Sequence, residues 1–139
     1  MFYKKNQSKK LNKQLFFNPT SEYRGTPFWA WNCKMDIEIL DEQIEYLNEM
    51  GFGGFHMHSR TGMAVPYLGE EFMNLVKFCT NKAKSKNMLA YLYDEDRWPS
   101  GTAGGFVTRN PRYRARYIEF SLNKESHFPM EEALNEGQP

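Results

Sequence analysis

Short runs of apolar and aromatic residues alternate with longer amphipathic stretches along the chain, and this pattern predicts three strands separated by two helices. The strands are predicted at residues 28–31, 52–58 and 88–93. The first helix begins after Asp36, a suitable cap, and its apolar residues recur at intervals of three and four as far as Gly51. Gly51 suits the left-handed conformation at a helix end. The second helix is predicted over residues 70–86, with Asn87 as its stop.

The order of these elements predicts an α/β fold with parallel strands and right-handed crossovers. In such a sheet the strand ends lie side by side, so Asn32, His58 and Asp94 are expected at one edge. Three strands cannot close a (β/α)8 barrel, which takes about 250 residues. Either the chain belongs to a longer fold, or another chain or its own terminal segments meet the open edge and the uncovered face. We therefore expect self-association, or association with the rest of a barrel.

Three consecutive acidic residues follow the third predicted strand and are the clearest sign of a functional site. Strands of a parallel sheet are buried until their carboxyl ends, so Asp94, Glu95 and Asp96 are expected to emerge where the sheet stops and a pocket begins. Asp94 is the leading site residue. The alternative is a solvated turn in which Asp96 caps the next segment. Arg97 and Trp98, which come next, are unusual in a plain turn.

Hydrolysis of a glycosidic bond needs two carboxyl groups about 5 to 9.5 Å apart. If the strand continued, Asp94 and Glu95 would point to opposite faces, whereas Asp94 and Asp96 would share a face about 6.6 Å apart. The other strand ends supply Asn32 and His58, not acids. The sequence therefore predicts a substrate-binding half-site, with Asp94 and Glu95 as the candidates for a catalytic carboxylate.

Histidines and tryptophans near the other strand ends could complete such a site. His56 and His58 lie two apart on a strand and share a face, and Arg60 has the same parity. Paired histidines can bind a metal or hydrogen-bond to hydroxyl groups, but no third zinc ligand stands at a recognisable spacing, so a polar pocket wall is the preferred interpretation. Trp31 and Trp98 could offer a flat surface to a sugar ring, whereas Trp29 is predicted in the core.

Composition and charge narrow the range of partners. The 139 residues carry a net charge of +1, which gives no reason to expect a nucleic acid or a membrane as partner. No apolar stretch reaches the roughly twenty residues that span a bilayer, and no signal peptide is recognisable, so the predicted location is cytoplasmic. Cys33 and Cys79 are predicted to be buried free thiols. No cofactor is predicted; paired carboxylates suit Ca²⁺, but the sequence shows no complete ligand set.

Three segments of the chain, residues 18–32, 51–63 and 93–105, resemble the opening barrel segments of large bacterial glycoside hydrolases. They contain Phe-Trp-Ala-Trp-Asn, Phe-His-Met-His-Ser-Arg and Tyr-Asp-Glu-Asp-Arg-Trp-Pro-Ser-Gly. The nearest family is that of the α-L-rhamnosidase-like enzymes of glycoside hydrolase family 106 and their relatives. The resemblance implies a (β/α)8 catalytic domain that acts on side chains of plant or microbial polysaccharides. It also implies a set of sugar-binding residues: Trp31, Asn32, His56, His58, Arg60, Asp96, Arg97 and Trp98.

By this resemblance the chain divides into a basic, poorly ordered tail at 1–17, a partial barrel at 18–116, and an exit strand with an acidic tail at 117–139. It departs from the family by stopping after the third strand. We therefore expect a fragment of a glycoside hydrolase, incomplete on its own, with α-L-rhamnosides as the leading substrates. One alternative is a Mg²⁺-dependent phosphatase or phosphotransferase that uses Asp94 and Asp96. The other is a non-catalytic module for carbohydrate binding or assembly.

Overall fold

The computed structural model describes residues 8–97, 101, 103–116, 118 and 120. Helices and strands alternate through this part of the chain. Two short 3-10 helices lie before the first strand, at Ser21–Tyr23, and after the last, at Pro111–Tyr113. The principal elements are α1 (Lys13–Phe17), β1 (Phe28–Trp31), α2 (Ile37–Glu49), β2 (Gly54–Ser59), α3 (Glu70–Ser85) and β3 (Leu89–Asp96). The predicted β-α-β-α-β order is confirmed, and β1 has the predicted bounds.

The three strands form one parallel sheet in the order β1-β2-β3. Phe28 of β1 pairs with His56 of β2, and His56 pairs with Tyr91 of β3. Helices α2 and α3 are the two crossover connections, as parallel strands require. The α/β class and the parallel sheet are therefore confirmed, with β2 in the centre.

The ends of α2 follow from its sequence. The side chain of Asp36 accepts a hydrogen bond from the backbone N–H of Glu38 at 3.0 Å, which satisfies one of the free donors at the helix start. Gly51, just beyond the other end, has a φ of +84°. This left-handed conformation costs glycine little and ends the helix. The cap and the stop predicted from the sequence are both confirmed.

The hydrophobic core lies between the two crossover helices and one face of the sheet. Phe55 and Met57 of β2 point into it, because side chains alternate along a strand. The ring of Trp31 meets that of Phe72 edge-on at 5.7 Å. Trp29 also packs against this core, as predicted. The helices also contribute Leu40, Ile44, Leu75, Cys79 and Ala83, and the loops contribute Met35, Val65 and Met88.

Charged side chains join α2 to α3 on the outer surface. The ammonium group of Lys82 on α3 lies 2.8 Å from Asp41 and 2.7 Å from Glu45 on α2. Lys86 lies 2.8 Å from the other oxygen of Glu45. Hydrogen bonds from Lys82 and Lys86 lower the pKa of Glu45 below the usual value for a glutamate. The network connects the outer surfaces of the two helices, and their arrangement depends mainly on the core beneath.

The two cysteines differ in environment, which corrects the prediction that both are buried. Cys79 lies in the core, where burial raises the pKa of its thiol to about 12. Cys33 is exposed, because β1 ends at Trp31 and the chain turns outward into the loop before α2. Only Cys33 therefore has a thiol that solvent and reagents can reach in the folded protein.

We expect iodoacetamide at pH 8 to alkylate Cys33 quickly and Cys79 at least tenfold more slowly, since the thiolate is the nucleophile. Intact mass spectrometry should show one added group in the native protein and two in urea. In the Cys33→Ser variant the fast reaction should vanish. Equal rates for the two thiols would contradict the burial of Cys79.

The segments before and after the sheet can be compared with the predicted domain bounds. The predicted basic tail includes α1, whose start is capped by Asn12 through hydrogen bonds of 3.0 and 3.2 Å from the backbone of Gln14 and Leu15. The predicted exit strand lies outside the described residues, apart from Ile118 and Phe120. Within the described chain, every helix is too short or too polar to cross a membrane. The cytoplasmic location stays a prediction.

Candidate functional site

The carboxyl ends of the three strands meet at one edge of the sheet, as predicted. The backbone N–H of Arg60 donates to the carbonyl of Trp31 at 2.9 Å, and the N–H of Arg97 donates to the carbonyl of Ser59 at 3.1 Å. The loop after β2 is also held against the end of β1. Gly62 has a φ of +99°, and a Cβ there would lie 2.5 Å from the carbonyl oxygen of Asn32. We call this region the strand-end edge.

Strand β3 does not end at Tyr93, which corrects the prediction that the acidic residues emerge from the sheet together. It continues through Asp96. Met57 pairs with Leu92, but Ser59 pairs with Asp96, so β3 has two residues more than β2 between these pairs. Asp94 and Glu95 are the extra residues and form a bulge. Asp96 thus occupies the position that regular pairing would give to Asp94.

Asp96 is buried and engaged by its neighbours, with only 7% of its surface exposed. Its Oδ1 accepts a hydrogen bond of 2.6 Å from the hydroxyl of Ser59, and its Oδ2 lies 3.2 Å from Nε of Arg97. Arg97 has a φ of +66°, a conformation that few non-glycine residues adopt. The sequence predicted Asp96 and Arg97 as substrate-binding residues; in the structure they bond to each other.

The face of the sheet opposite the helices carries a cluster of stacked rings. The ring of His56 stacks between Phe28 at 5.6 Å and Tyr91 at 4.6 Å. The centroid of the His58 ring lies 4.2 Å from that of Tyr93 and 5.2 Å from that of Phe28. Phe28 is 61% exposed, so solvent reaches this surface, which we call the open face. The prediction that His56 and His58 share a face is confirmed.

The two histidines of the open face differ in their hydrogen bonds. Nδ1 of His56 lies 3.1 Å from the carbonyl oxygen of Thr26, so this nitrogen carries the proton and Nε2 is an acceptor in the neutral ring. His58 is 5% exposed, and its Nε2 has no hydrogen-bond partner within the described part of the chain. Burial, and then the charge of Arg60, lower the pKa of His58, so its ring is neutral at pH 7.

The bulge residues contact two loops at the strand-end edge. The carboxylate of Glu95 accepts from the backbone N–H of Gly101, with distances of 3.2 and 3.3 Å to its two oxygens. The hydroxyl of Tyr67 donates to the carbonyl of Asp94 at 3.1 Å. Burial, followed by the charges of Asp96, Glu95 and Asp94, raises the pKa of Tyr67, so the hydroxyl keeps its proton.

Sequence reasoning missed two residues that shape this edge. Ser59 follows His58 directly and could have been recognised as part of the strand end. Tyr67 lies in the loop before α3, and only the fold brings it to β3. Gly104 belongs with them, because a Cβ there would lie 2.7 Å from the Tyr67 ring and 3.5 Å from Oδ2 of Asp96. The Gly-rich segment therefore packs against the acidic strand end.

The remaining predicted site residues fall into three groups. Trp31 is 1% exposed and packs in the core, so its ring offers no face to a ligand at the strand-end edge. Asn32 and Arg60 are exposed at this edge. Trp98 lies outside the described residues. The exposed and partly exposed groups that remain are thus an amide, a guanidinium, and the carboxylates of Asp94 and Glu95.

An acidic groove of about 660 Å³ lies beside the starts of α2 and α3. Asp36, Glu38, Glu70 and Glu71 line it. Carboxylates in this position offset the positive ends of the helix dipoles, which explains their presence.

Across the described residues, no three His, Cys, Asp or Glu side chains come close enough together to hold a metal ion. Comparison of the chain with protein-family models, curated proteins and solved structures gives no match.

Proposed function

We propose that this chain forms the first three strands of a (β/α)8 glycoside hydrolase, with the two helices that connect them, and contributes part of its sugar-binding site. The observation that supports this most is the combination of an open sheet face carrying histidine and tyrosine with a polar strand-end edge directly beside it. In (β/α)8 barrels the face away from the helices lines the interior, and the active site lies at the carboxyl ends of the strands.

The chemistry of the strand-end edge suits a polyhydroxylated ligand. Arg60 offers donors and Asn32 offers both donors and an acceptor, which match the hydroxyl groups of a sugar. Nε2 of His58 would gain a partner that the described chain does not give it. Asp94 or Glu95 would contact the sugar as a carboxylate.

This half-site supplies only one of the two carboxyl groups that the reaction needs. Glycosidases place two carboxyl groups on either side of the scissile bond, usually from different strands. Within the described residues, β3 is the one strand whose carboxyl end bears acids. The second carboxylate would come from a further strand, so the isolated chain binds sugar without hydrolysing it.

The hydrogen bonds of Asp96 weigh against the phosphatase alternative. Asp-x-Asp phosphatases need both carboxylates free for Mg²⁺ and phosphate, but Asp96 is buried against Ser59 and Arg97. Turnover of p-nitrophenyl phosphate with added Mg²⁺ would nevertheless favour that function over ours. A binding protein that never hydrolyses sugar in any longer form would favour the non-catalytic alternative.

A titration of the isotope-labelled chain with methyl α-L-rhamnoside and other methyl glycosides, followed by two-dimensional NMR, tests the proposal. We expect shifts confined to the strand-end edge and the open face, and no hydrolysis of aryl glycosides. Arg60→Ala should weaken binding at least tenfold, because charged hydrogen bonds contribute about 1.5–3 kcal/mol. The control Lys77→Ala removes an exposed cation from α3, away from this edge. No shift with any glycoside, or equal effects of the two variants, would contradict the proposal.

A further inference from the structure

We propose that Asp96 is a positioning residue that builds the bulge in β3, and that this bulge presents Glu95, rather than Asp94 or Asp96, to the sugar. The inference rests on the proposed function and deepens it, because it separates three neighbouring acids that the sequence cannot distinguish. Two kinds of observation support it: the contacts that hold Asp96, and the face of the sheet on which each acid lies.

The contacts of Asp96 hold the end of β3 in its shifted register. Ser59 binds one carboxylate oxygen at 2.6 Å and Arg97 lies 3.2 Å from the other, and the side chain is only 6% exposed, so its burial shields it from a ligand. The backbone N–H of Arg97 also donates a hydrogen bond to the carbonyl of Ser59 at 3.1 Å. Hydrogen bonds to a buried carboxylate are among the strong ones in proteins. These contacts close the bulge on the far side of Asp94 and Glu95.

The residues on either side of the bulge indicate the face of the sheet on which each of the bulge residues lies. Tyr93, on the near side, packs against His58 on the open face. Asp96, on the far side, pairs with Ser59, whose position in β2 has the same parity as the core residues Phe55 and Met57. Side chains alternate along an extended strand, so Glu95 follows Tyr93 on the open face and Asp94 lies on the helix-facing side.

By this alternation Glu95 lies on the same face as His58, and His58 is the residue that points to a ligand. Nε2 of His58 is buried and has no hydrogen-bond partner among the described residues. Such an atom is costly unless something satisfies it. Glu95 accepts one backbone N–H, from Gly101, and a carboxylate has about four acceptor sites, so its capacity is not used up. A sugar bound on this face has several hydroxyl groups, so separate hydroxyls could bind Glu95 and His58.

Carboxyl modification with a carbodiimide and glycine ethyl ester, located by tandem mass spectrometry, tests the positioning role. We expect Asp94 and Glu95 to react in the native protein and Asp96 to react at least tenfold more slowly. Ser59→Ala should bring the rate of Asp96 to within about threefold of that of Asp94. Its control is Ser85→Ala, which removes an exposed hydroxyl that binds the backbone of α3. If Asp96 of the unmutated protein is modified as fast as Asp94 and Glu95, that result alone overturns its positioning role.

The same reaction with bound methyl α-L-rhamnoside tests the assignment of Glu95. We expect the sugar to slow the modification of Glu95 at least fivefold and to leave Asp94 unchanged. Asp96→Asn should raise the Kd for the sugar at least tenfold while thermal unfolding stays cooperative. Protection of Asp94 instead would overturn the assignment but uphold sugar binding. If no glycoside protects any carboxylate, both the proposed function and the role of Glu95 are overturned. The positioning role of Asp96 is tested separately, by its rate of modification without sugar.

Discussion

We expect the Phe55→Ala variant to lose about 3–5 kcal/mol of its free energy of unfolding. Phe55 is completely buried at the centre of the sheet, and its ring meets that of Trp29 edge-on at 5.0 Å. The truncation removes buried apolar area, leaves a cavity, and breaks an aromatic pair that itself contributes about 0.5–1.5 kcal/mol. Urea unfolding followed by circular dichroism measures the change.

The matched control is Phe28→Ala, in which the same atoms are removed from the paired edge strand. Phe28 is 61% exposed on the open face but its ring contacts His56, His58 and Tyr93, so its removal should cost about 1–2 kcal/mol, less than that of Phe55. Equal losses for the two variants would show that the open face is covered in solution. That result would contradict the surface on which the proposed sugar site depends.

We expect Gly54→Ala to lower the free energy of unfolding by more than about 3 kcal/mol, although it adds a single methyl group. A Cβ on Gly54 would overlap the carbonyl oxygen of Leu89 and lie 2.9 Å from its carbonyl carbon. These are backbone atoms of β3, so relief requires the paired strands to separate. Thermal unfolding and the chemical shifts of β3 both report this change.

Gly25→Ala serves as the control for Gly54→Ala. A Cβ at Gly25 would lie 3.3 Å from Cδ1 of Phe52, which is part of a side chain that can move. This variant should stay within about 1 kcal/mol of the unmutated protein. A Gly54→Ala protein with normal stability would mean that β2 and β3 do not approach as closely as described.

The helices and the strand order could be predicted from the sequence because each depends on local signals. The cap at Asp36, the apolar stripe of α2 and the stop at Gly51 all lie within sixteen residues, and backbone geometry translates them directly into a helix. The parallel arrangement then follows from the order of strands and helices. None of these steps requires knowledge of a contact distant in the chain.

The end of β3 could not be predicted, because its course depends on distant partners. The acidic residues resemble a loop in isolation, but Ser59 lies 37 positions away from Asp96 and Tyr67 lies 27 positions away from Asp94. Their hydrogen bonds keep the acids in the strand. The exposure of Cys33 and the burial of Trp31 were missed although β1 has the predicted bounds, because the packing of the helices decides which side chains near a strand end are covered.

The strands stand in the sheet in the same order as they stand in the chain, and this has a consequence for synthesis on the ribosome. Among the described strands, each new one pairs with the strand that emerged before it, so β3 does not have to insert between β1 and β2. The sheet can therefore grow from one side as translation proceeds, by one strand and one covering helix at a time.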